Sequence, residues 1–422
     1  MHTESHLPKR KFLIIIAWII CLIATLNYSY DFFIRAAPGV MSHSLADAFN
    51  INGAKIGWLS SAYFISYTLM QIPAGVIIDK YNRKTVIGVA TGLCVLGNYL
   101  FSATNYYEVA FTGRILMGIG SAFGFIGAAK MAAMWLPQRF FSTFISFTTI
   151  VGILGGLVTD TVLSTLVDNF GWRQGNNVFT YFGVVLFILI IIFIKDNPKH
   201  VQKFSHINES SFKQATLRLL SILTNVRFWV ASTVGAIMFM PINVLGSLWG
   251  VSFIQTKLNI PEVTASHINS FLFIGAAVGF GIFGIIAAYT NRFRLMLIIS
   301  LSSLAILTSI LMYIPLDRNT FILLYFLLGA MVGPQAITFT IAKVISPPGA
   351  SGSSTACVNI VNNLIPIVLL PTIGYILSRY GSKIPSSNLY DITSYQHAFI
   401  TILVPTIICL PVAMFLPKRI KI

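Results

Sequence analysis

Charged side chains are scarce in this chain. Asp, Glu, Lys and Arg make up 9% of its 422 residues, where a soluble domain carries roughly 25%. Acids are rarer still, 12 against 28 bases, for a formal charge of +16. With 56% hydrophobic residues and a mean hydropathy of +0.80, the composition excludes an ordinary soluble domain and belongs to a lipid solvent. The four cysteines, Cys21, Cys94, Cys357 and Cys409, lie inside apolar runs without C-x-x-C spacing. Neither a disulfide framework nor a zinc site is supported. There is no G-x-x-x-x-G-K-(S/T) motif, and the Gly/Ser stretch from Pro348 to Thr355 lacks the lysine, so ATP does not drive the protein directly. No nucleophile motif or metal-ligand cluster argues for an enzyme, no cofactor is called for, and no histidine lies deep in an apolar run. The bases are scattered between apolar runs rather than gathered on one helix or arm, which excludes nucleic acid as a partner.

What the sequence has in abundance is apolar runs long enough to cross a bilayer. Twelve fall at about residues 12 to 36, 56 to 78, 85 to 105, 109 to 133, 142 to 166, 177 to 195, 228 to 254, 267 to 289, 295 to 315, 320 to 344, 353 to 377 and 396 to 416. The first follows Lys9, Arg10 and Lys11 as a secretory signal would. It continues past about 20 residues with no A-x-A site after it, and so reads as an uncleaved first transmembrane helix. The predicted fold is an all-α polytopic membrane protein whose partner is the lipid bilayer. One long polar stretch, residues 196–226, holds Lys199, Lys203, Lys213 and Arg218 and divides the chain into a six-helix bundle at 1–195 and a second at 227–422. No stretch is left for a soluble catalytic domain. Of the 28 Lys and Arg, 19 fall on one side of the twelve helices, 6 on the other and 3 inside them. The positive-inside bias then places both termini and the central loop in the cytoplasm.

The halves repeat. GVIIDKYNRK, from Gly75 to Lys84 after the second helix, lies over GIIAAYTNRF, from Gly284 to Phe293 after the eighth, at an offset of 209. Gly75, Asn82 and Arg83 match Gly284, Asn291 and Arg292, which points to a parallel duplication.

Gly75, Asp79, Lys80, Arg83 and Lys84 fit G-x-x-x-D-(R/K)-x-G-R-(R/K), the hallmark between helices 2 and 3 of the major facilitator superfamily, and the chain resembles that family over its whole length. Asn82 stands where the family usually has glycine; asparagine tolerates the left-handed turn expected there. Arg114-x-x-x-Gly118-x-Gly120 in the fourth helix and FGWR from Phe170 to Arg173 also match. FFIRAAPGVM from Phe32, AAKMAAMWLP from Ala128 and GSLWGVSFI from Gly246 are similar to a bacterial branch of metabolite importers. The resemblance implies two six-helix bundles around a central site, and a gating latch in which Asp79 pairs with loop arginines and a helix N-terminus of the opposite half.

Candidate site residues follow from polar groups in lipid-spanning runs, which are costly and usually face the bundle interior or water. Asn27, Asp31 and Arg35 recur at i, i+4 and i+8 of the first helix and form one stripe. The family places substrate-binding side chains there, which favours Arg35; the competing reading is that Asp31 and Arg35 neutralise each other. Arg114 and Lys130 in helix 4 are further cationic candidates, although Lys130 could snorkel to the surface. Asp160 in helix 5 reads as an outer-vestibule residue, and with Asp31 it is available to carry a proton. Asn359 and Asn363 share a face of helix 11. Tyr28, Tyr30 and Trp249 are aromatic candidates for the same cavity. Glycines of helices 4 and 5, among them Gly120, Gly124, Gly152 and Gly156, read first as close packing.

These readings converge on a monomeric secondary active transporter in a bacterial inner membrane, without cofactor or metal. It would take up a small anionic or zwitterionic solute, an amino acid or organic acid, with a proton as co-substrate. Efflux of drugs or siderophore-like compounds, and a non-transporting receptor, are the alternatives.

Overall fold

A computed structural model describes residues 7–195, 222, 224–290, 292–346, 351–382 and 390–416. Most of the polar stretch at 196–226 lies outside the described residues. Among the described residues twelve helices are long and apolar enough to span a membrane: α1 Ile14–Val40, α2 Gly53–Lys80, α3 Arg83–Ala103, α4 Tyr107–Trp135, α5 Thr143–Phe170, α6 Trp172–Phe193, α7 Val226–Leu258, α8 Glu262–Ala287, α9 Phe293–Tyr313, α10 Arg318–Ile345, α11 Ser354–Tyr380 and α12 Ile392–Ala413. A short helix, Ser42–Phe49, joins α1 to α2.

Polar side chains set several helix starts by accepting from the otherwise orphaned first amides. Asn52 accepts from the Lys55 amide at 3.1 Å, and Asp317 from the Asn319 and Thr320 amides, each at 3.1 Å. Asn82 caps α3 through the Thr85 amide at 3.1 Å and has φ −58°. The left-handed turn expected at Asn82 is therefore not used; the residue serves as a side-chain cap, which a glycine could not do.

The duplication seen in the gating loops extends into the backbone. Asn50 (φ 49°) and Asn259 (φ 51°), 209 positions apart, each end a helix in the left-handed conformation that asparagine tolerates. α4 breaks at Ala122–Phe123, and α10 breaks from Met331, 209 positions after Ala122. Two wide π turns depart from the symmetry: Thr159–Leu163 in α5 and Ile242–Trp249 in α7.

Helices α1–α6 pack largely on one another, as do α7–α12, and the two sets meet along α2/α11, α5/α8 and α1/α7. Small residues permit the approach. A Cβ on Gly57 would collide with the backbone of Leu370 and Pro371, and one on Gly156 with the Phe273 ring. Hydrogen bonds tie the seam at the end away from the chain termini: Ser42 to Ser252 (3.0 Å), the Ala54 amide to Ser378 (3.2 Å) and Ser61 to the Pro366 carbonyl (3.3 Å). The ties continue inward to Asn359, which donates to Gln71 at 3.2 Å. Nearer the termini Asp79 is 66% exposed; the end opposite the termini is the one that these bonds hold closed.

Candidate functional site

The predicted stripe on α1 is real in sequence but turns as it rises, because residues four apart on an α-helix are displaced by about 40°. Its three members consequently face three helices. Asn27 accepts from Thr91 of α3 at 2.7 Å. Asp31, 1% exposed, lies against Gly124 where α4 is broken, beside Ser121, with its Oδ2 unpartnered. Arg35, 6% exposed, turns towards α2.

Four rings cage the Arg35 guanidinium: Phe32 at 4.6 Å, Phe64 at 5.4 Å, Tyr67 at 5.5 Å and Tyr63 at 5.7 Å from its central carbon to the ring centroids. Each such contact is worth about 0.5 to 2 kcal/mol depending on desolvation. Arg35 and Asp31 make no ion pair, and Arg35 Nε has no hydrogen-bond partner. The two are not in ion-pair contact, although the arginine's charge still acts on the carboxyl across the gap. What remains is a buried planar cation among aromatic rings, with a donor on Nε to spare. That is the chemistry that receives a carboxylate in a forked pair. Tyr28 stands on the same helix, its ring 5.5 Å from Phe32 and 5.3 Å from Phe125 of α4. Tyr30 points elsewhere, to Phe33 and to Phe182 of α6.

Arg114 is 1% exposed and acts on backbone: Nη1 donates to the Ile34 carbonyl at 2.5 Å and Nε to that of Leu59 at 3.4 Å, binding α4 to α1 and α2. Its Nη2 is unpartnered, and it shares the Tyr63 ring with Arg35 at 5.0 Å. Trp249 donates to the Leu370 carbonyl at 3.2 Å and ties α7 to α11. Asn359 bridges the halves, donating to the Tyr67 hydroxyl at 3.3 Å as well as to Gln71. Asn363 turns back on its own helix and donates to the Asn359 carbonyl at 2.7 Å. Arg35, Tyr67 and Asn359 therefore form one connected group across the seam, whereas Lys130 is not part of it.

Lys130 instead pairs with Asp79 at 2.5 Å near the end that carries the termini, where it is 22% exposed. Among the described residues no partner of Asp79 from the opposite half is seen. Its carboxylate is held by a cation of its own half, and Arg83 donates to the Asp79 carbonyl oxygen at 3.2 Å. The cation comes from α4, the neighbouring helix of the same half. Lys80, Arg83 and Lys84 lie at the surface or half-buried beside it, and a Cβ on Gly75 would meet nothing within 4 Å.

Asp160, expected in an outer vestibule, is buried in the seam between α5 and α8, where Asn269 donates to its Oδ2 at 2.7 Å. At the same closed end His43 of the short helix neighbours Gln255 of α7. Burial lowers the imidazole pKa below its ordinary value, with Asp47 opposing the shift.

Sequence reasoning missed Tyr63, Tyr67 and Gln71. They recur at i, i+4 and i+8 on α2, the same signal that revealed the stripe on α1. It also missed Asn269 and Tyr325, whose connection to Asp160 spans both halves and leaves no local pattern.

Twelve spanning helices, a repeat at 209 residues, and a seam of small residues with a caged cation beside it define a duplicated polytopic membrane bundle. The sequence profile of the Major Facilitator Superfamily matches residues 17–369 and again 235–421, and the chain belongs to this family as a multi-pass integral membrane protein. It is 24% identical over 220 residues to the transporter YybO of Bacillus subtilis (strain 168), covering 47% of this chain and 48% of that one. It is 26% identical over 187 residues to the probable galactarate/D-glucarate transporter GarP of Escherichia coli (strain K12), covering 43% of this chain and 40% of that one. The chain thus spans less than half the length of either relative. A bacterial homologue of the human lysosomal transporter Spinster, solved inward-facing and occupied, superposes with a TM-score of 0.75 at 15% identity over 95% of this chain and 98% of that one.

Proposed function

We propose that the protein is a secondary active transporter that carries a small anionic organic solute by alternating access. In this reading the six-helix halves at 1–195 and 227–422 rock about a site centred on Arg35. The observation that carries it is the caged, unpaired Arg35 guanidinium: an unpaired cation in low dielectric is expensive, and a bound carboxylate relieves the cost. Tyr28, Tyr67, Asn359 and Asn363 complete the polar lining, with Arg114 and Trp249 behind it. The sugar acids named for GarP support a carboxylate-bearing substrate. Lys130 serves the gate, with Asp79, rather than the substrate.

The 19 Lys and Arg on the side of the termini, against 6 on the other, support a cytoplasmic location of the termini in a bacterial inner membrane. In that orientation the tied end of the seam faces outward. Uptake is coupled to protons, with Asp31 as carrier: its carboxyl is buried without an ion pair and lies one turn from Arg35.

The test is counterflow in proteoliposomes with carboxylates, among them D-glucarate, against neutral sugars and nucleosides. Carboxylates should exchange, and an inward proton gradient should drive their accumulation. Exchange of neutral solutes alone would overturn the substrate class. Accumulation indifferent to an uncoupler would overturn proton coupling.

A further inference from the structure

Asp160 sits in the π turn Thr159–Leu163, near the closed end of the seam, and is 1% exposed. Its surroundings are built from four helices. From α8, Asn269 donates to Oδ2 at 2.7 Å, and the Ser266 hydroxyl donates to the Asp160 backbone carbonyl at 2.8 Å. From α10, the Tyr325 hydroxyl donates to Asn269 Oδ1 at 2.8 Å, which fixes the amide with its NH2 towards the carboxyl. On α5 itself, Thr159 donates to the Phe33 carbonyl of α1 at 3.2 Å. The remaining carboxyl oxygen, Oδ1, has no partner.

No cation answers this acid. Among the described residues no Lys, Arg or His forms an ion pair with it. The charged and titratable groups of the elements around it are engaged elsewhere. Arg35 of α1 lies in its aromatic cage and Asp31 against Gly124; Glu262 of α8 faces Asp168 of α5; His267 of α8 is exposed; Tyr325 of α10 reaches Asn269. An ionised carboxylate held in such a place costs several kcal/mol that one amide hydrogen bond offsets only in part, whereas a neutral carboxylic acid accepts the Asn269 amide on one oxygen and carries its proton on the other.

Resting on the transporter reading above, we propose that Asp160 is a proton-binding site that locks the two halves together at the end away from the termini. The proton resides on Oδ1 while α5 and α8 are in contact. When they part, water reaches the carboxyl, the O–H bond breaks heterolytically, and the proton leaves to solvent from a carboxylate that is now hydrated. Protonation favours closure at this end, so raising the pH favours opening there. The site is separate from Asp31, which lies inside the first half against Gly124 of α4 and beside Ser121.

The experiment uses the purified full chain in lipid nanodiscs, without substrate, with spin labels on cysteines placed at Asn169 of α5 and Asn319 of α10, both exposed near the closed end. The four native cysteines are buried. Double electron–electron resonance is recorded between about pH 5 and pH 9. The wild-type sequence should gain a longer-distance population as the pH rises, and Asp160→Asn, which mimics the neutral acid, should hold the short distance throughout. His43→Gln and Glu262→Gln, at the same end, should keep the shift. A wild-type distribution that ignores pH overturns the proposal whether or not Asp160→Asn folds, and so does a shift that survives in Asp160→Asn or vanishes in His43→Gln. Because no solute is present, failure of the lock is distinguishable from failure of the transport reading, which counterflow tests separately.

Discussion

Arg35→Lys separates a substrate anchor from a structural cation. The substitution keeps the charge and some attraction to the rings of Phe32, Tyr63, Phe64 and Tyr67, but it removes the planar fork. A charge-assisted hydrogen bond contributes about 1.5 to 3 kcal/mol, so losing one arm of the fork should weaken a bound carboxylate roughly ten- to hundredfold. The ligand-free protein should hardly notice. Arg35 has no ion pair to break, and the several kcal/mol of desolvation that it suffers is shared by the lysine. The readout is ligand-induced thermal stabilisation. At a concentration about 100 times the Kd, ligand adds about 2.7 kcal/mol; after a loss of about thirtyfold the same concentration adds only about 0.9 kcal/mol. The expected pattern is an unchanged melting temperature without D-glucarate and a sharply reduced shift with it. Equal shifts in both proteins would refute the anchor, and a melting temperature that collapses without ligand would make Arg35 a structural residue.

Lys130→Ala removes the Asp79 pair, but with Asp79 66% exposed the loss in stability should stay below about 1 kcal/mol by chemical denaturation; a larger loss would mean that the pair is structural. Gly57→Val wedges α2 from the Leu370–Pro371 backbone, so a cysteine at Ser61, now fully buried, should become reactive to a small maleimide; unchanged protection would refute the tight seam. Asn359→Leu strands the Tyr67 hydroxyl and Gln71, and should cost about 1 to 3 kcal/mol of stability, visible in a melting curve. His43 has a depressed pKa, so its neutral form contributes stability above the ordinary imidazole range that is lost as the pH falls through the lowered value. Acid should therefore lower the melting temperature of wild type more than that of His43→Gln, and parallel curves would refute it.

Hydropathy made the twelve spans legible because each must bury about 20 residues in hydrocarbon, a demand that every sequence window reports on its own. The apolar run read at about 56 to 78 became Gly53–Lys80, and the run at about 142 to 166 became Thr143–Phe170. The breaks in α4 and α10 and the wide turns in α5 and α7 were not legible, since hydropathy is blind to how backbone amides are paired. Arg35 was found by being an ion in the wrong solvent. Its cage was not, because aromatic residues are common in every spanning helix and only the fold selects which four meet. For Lys130 the sequence left cavity and snorkelling both open, because a long side chain reports only the position of its Cα; its ammonium lies beside Asp79.

The π turn in α5 has a consequence for the chain's tolerance of length changes. Such a turn amounts to one extra residue carried within a helix, and each residue advances the helical face by about 100°. Before it, Gly152 and Gly155 meet α1; after it, Ser164 lies buried and Thr165 faces outward. Deleting a single residue from Thr159–Leu163 would leave a perfectly regular helix whose two ends no longer agree about which way is inward. Most helices resent an insertion, but this one has made its insertion the only register in which both of its ends face their neighbours.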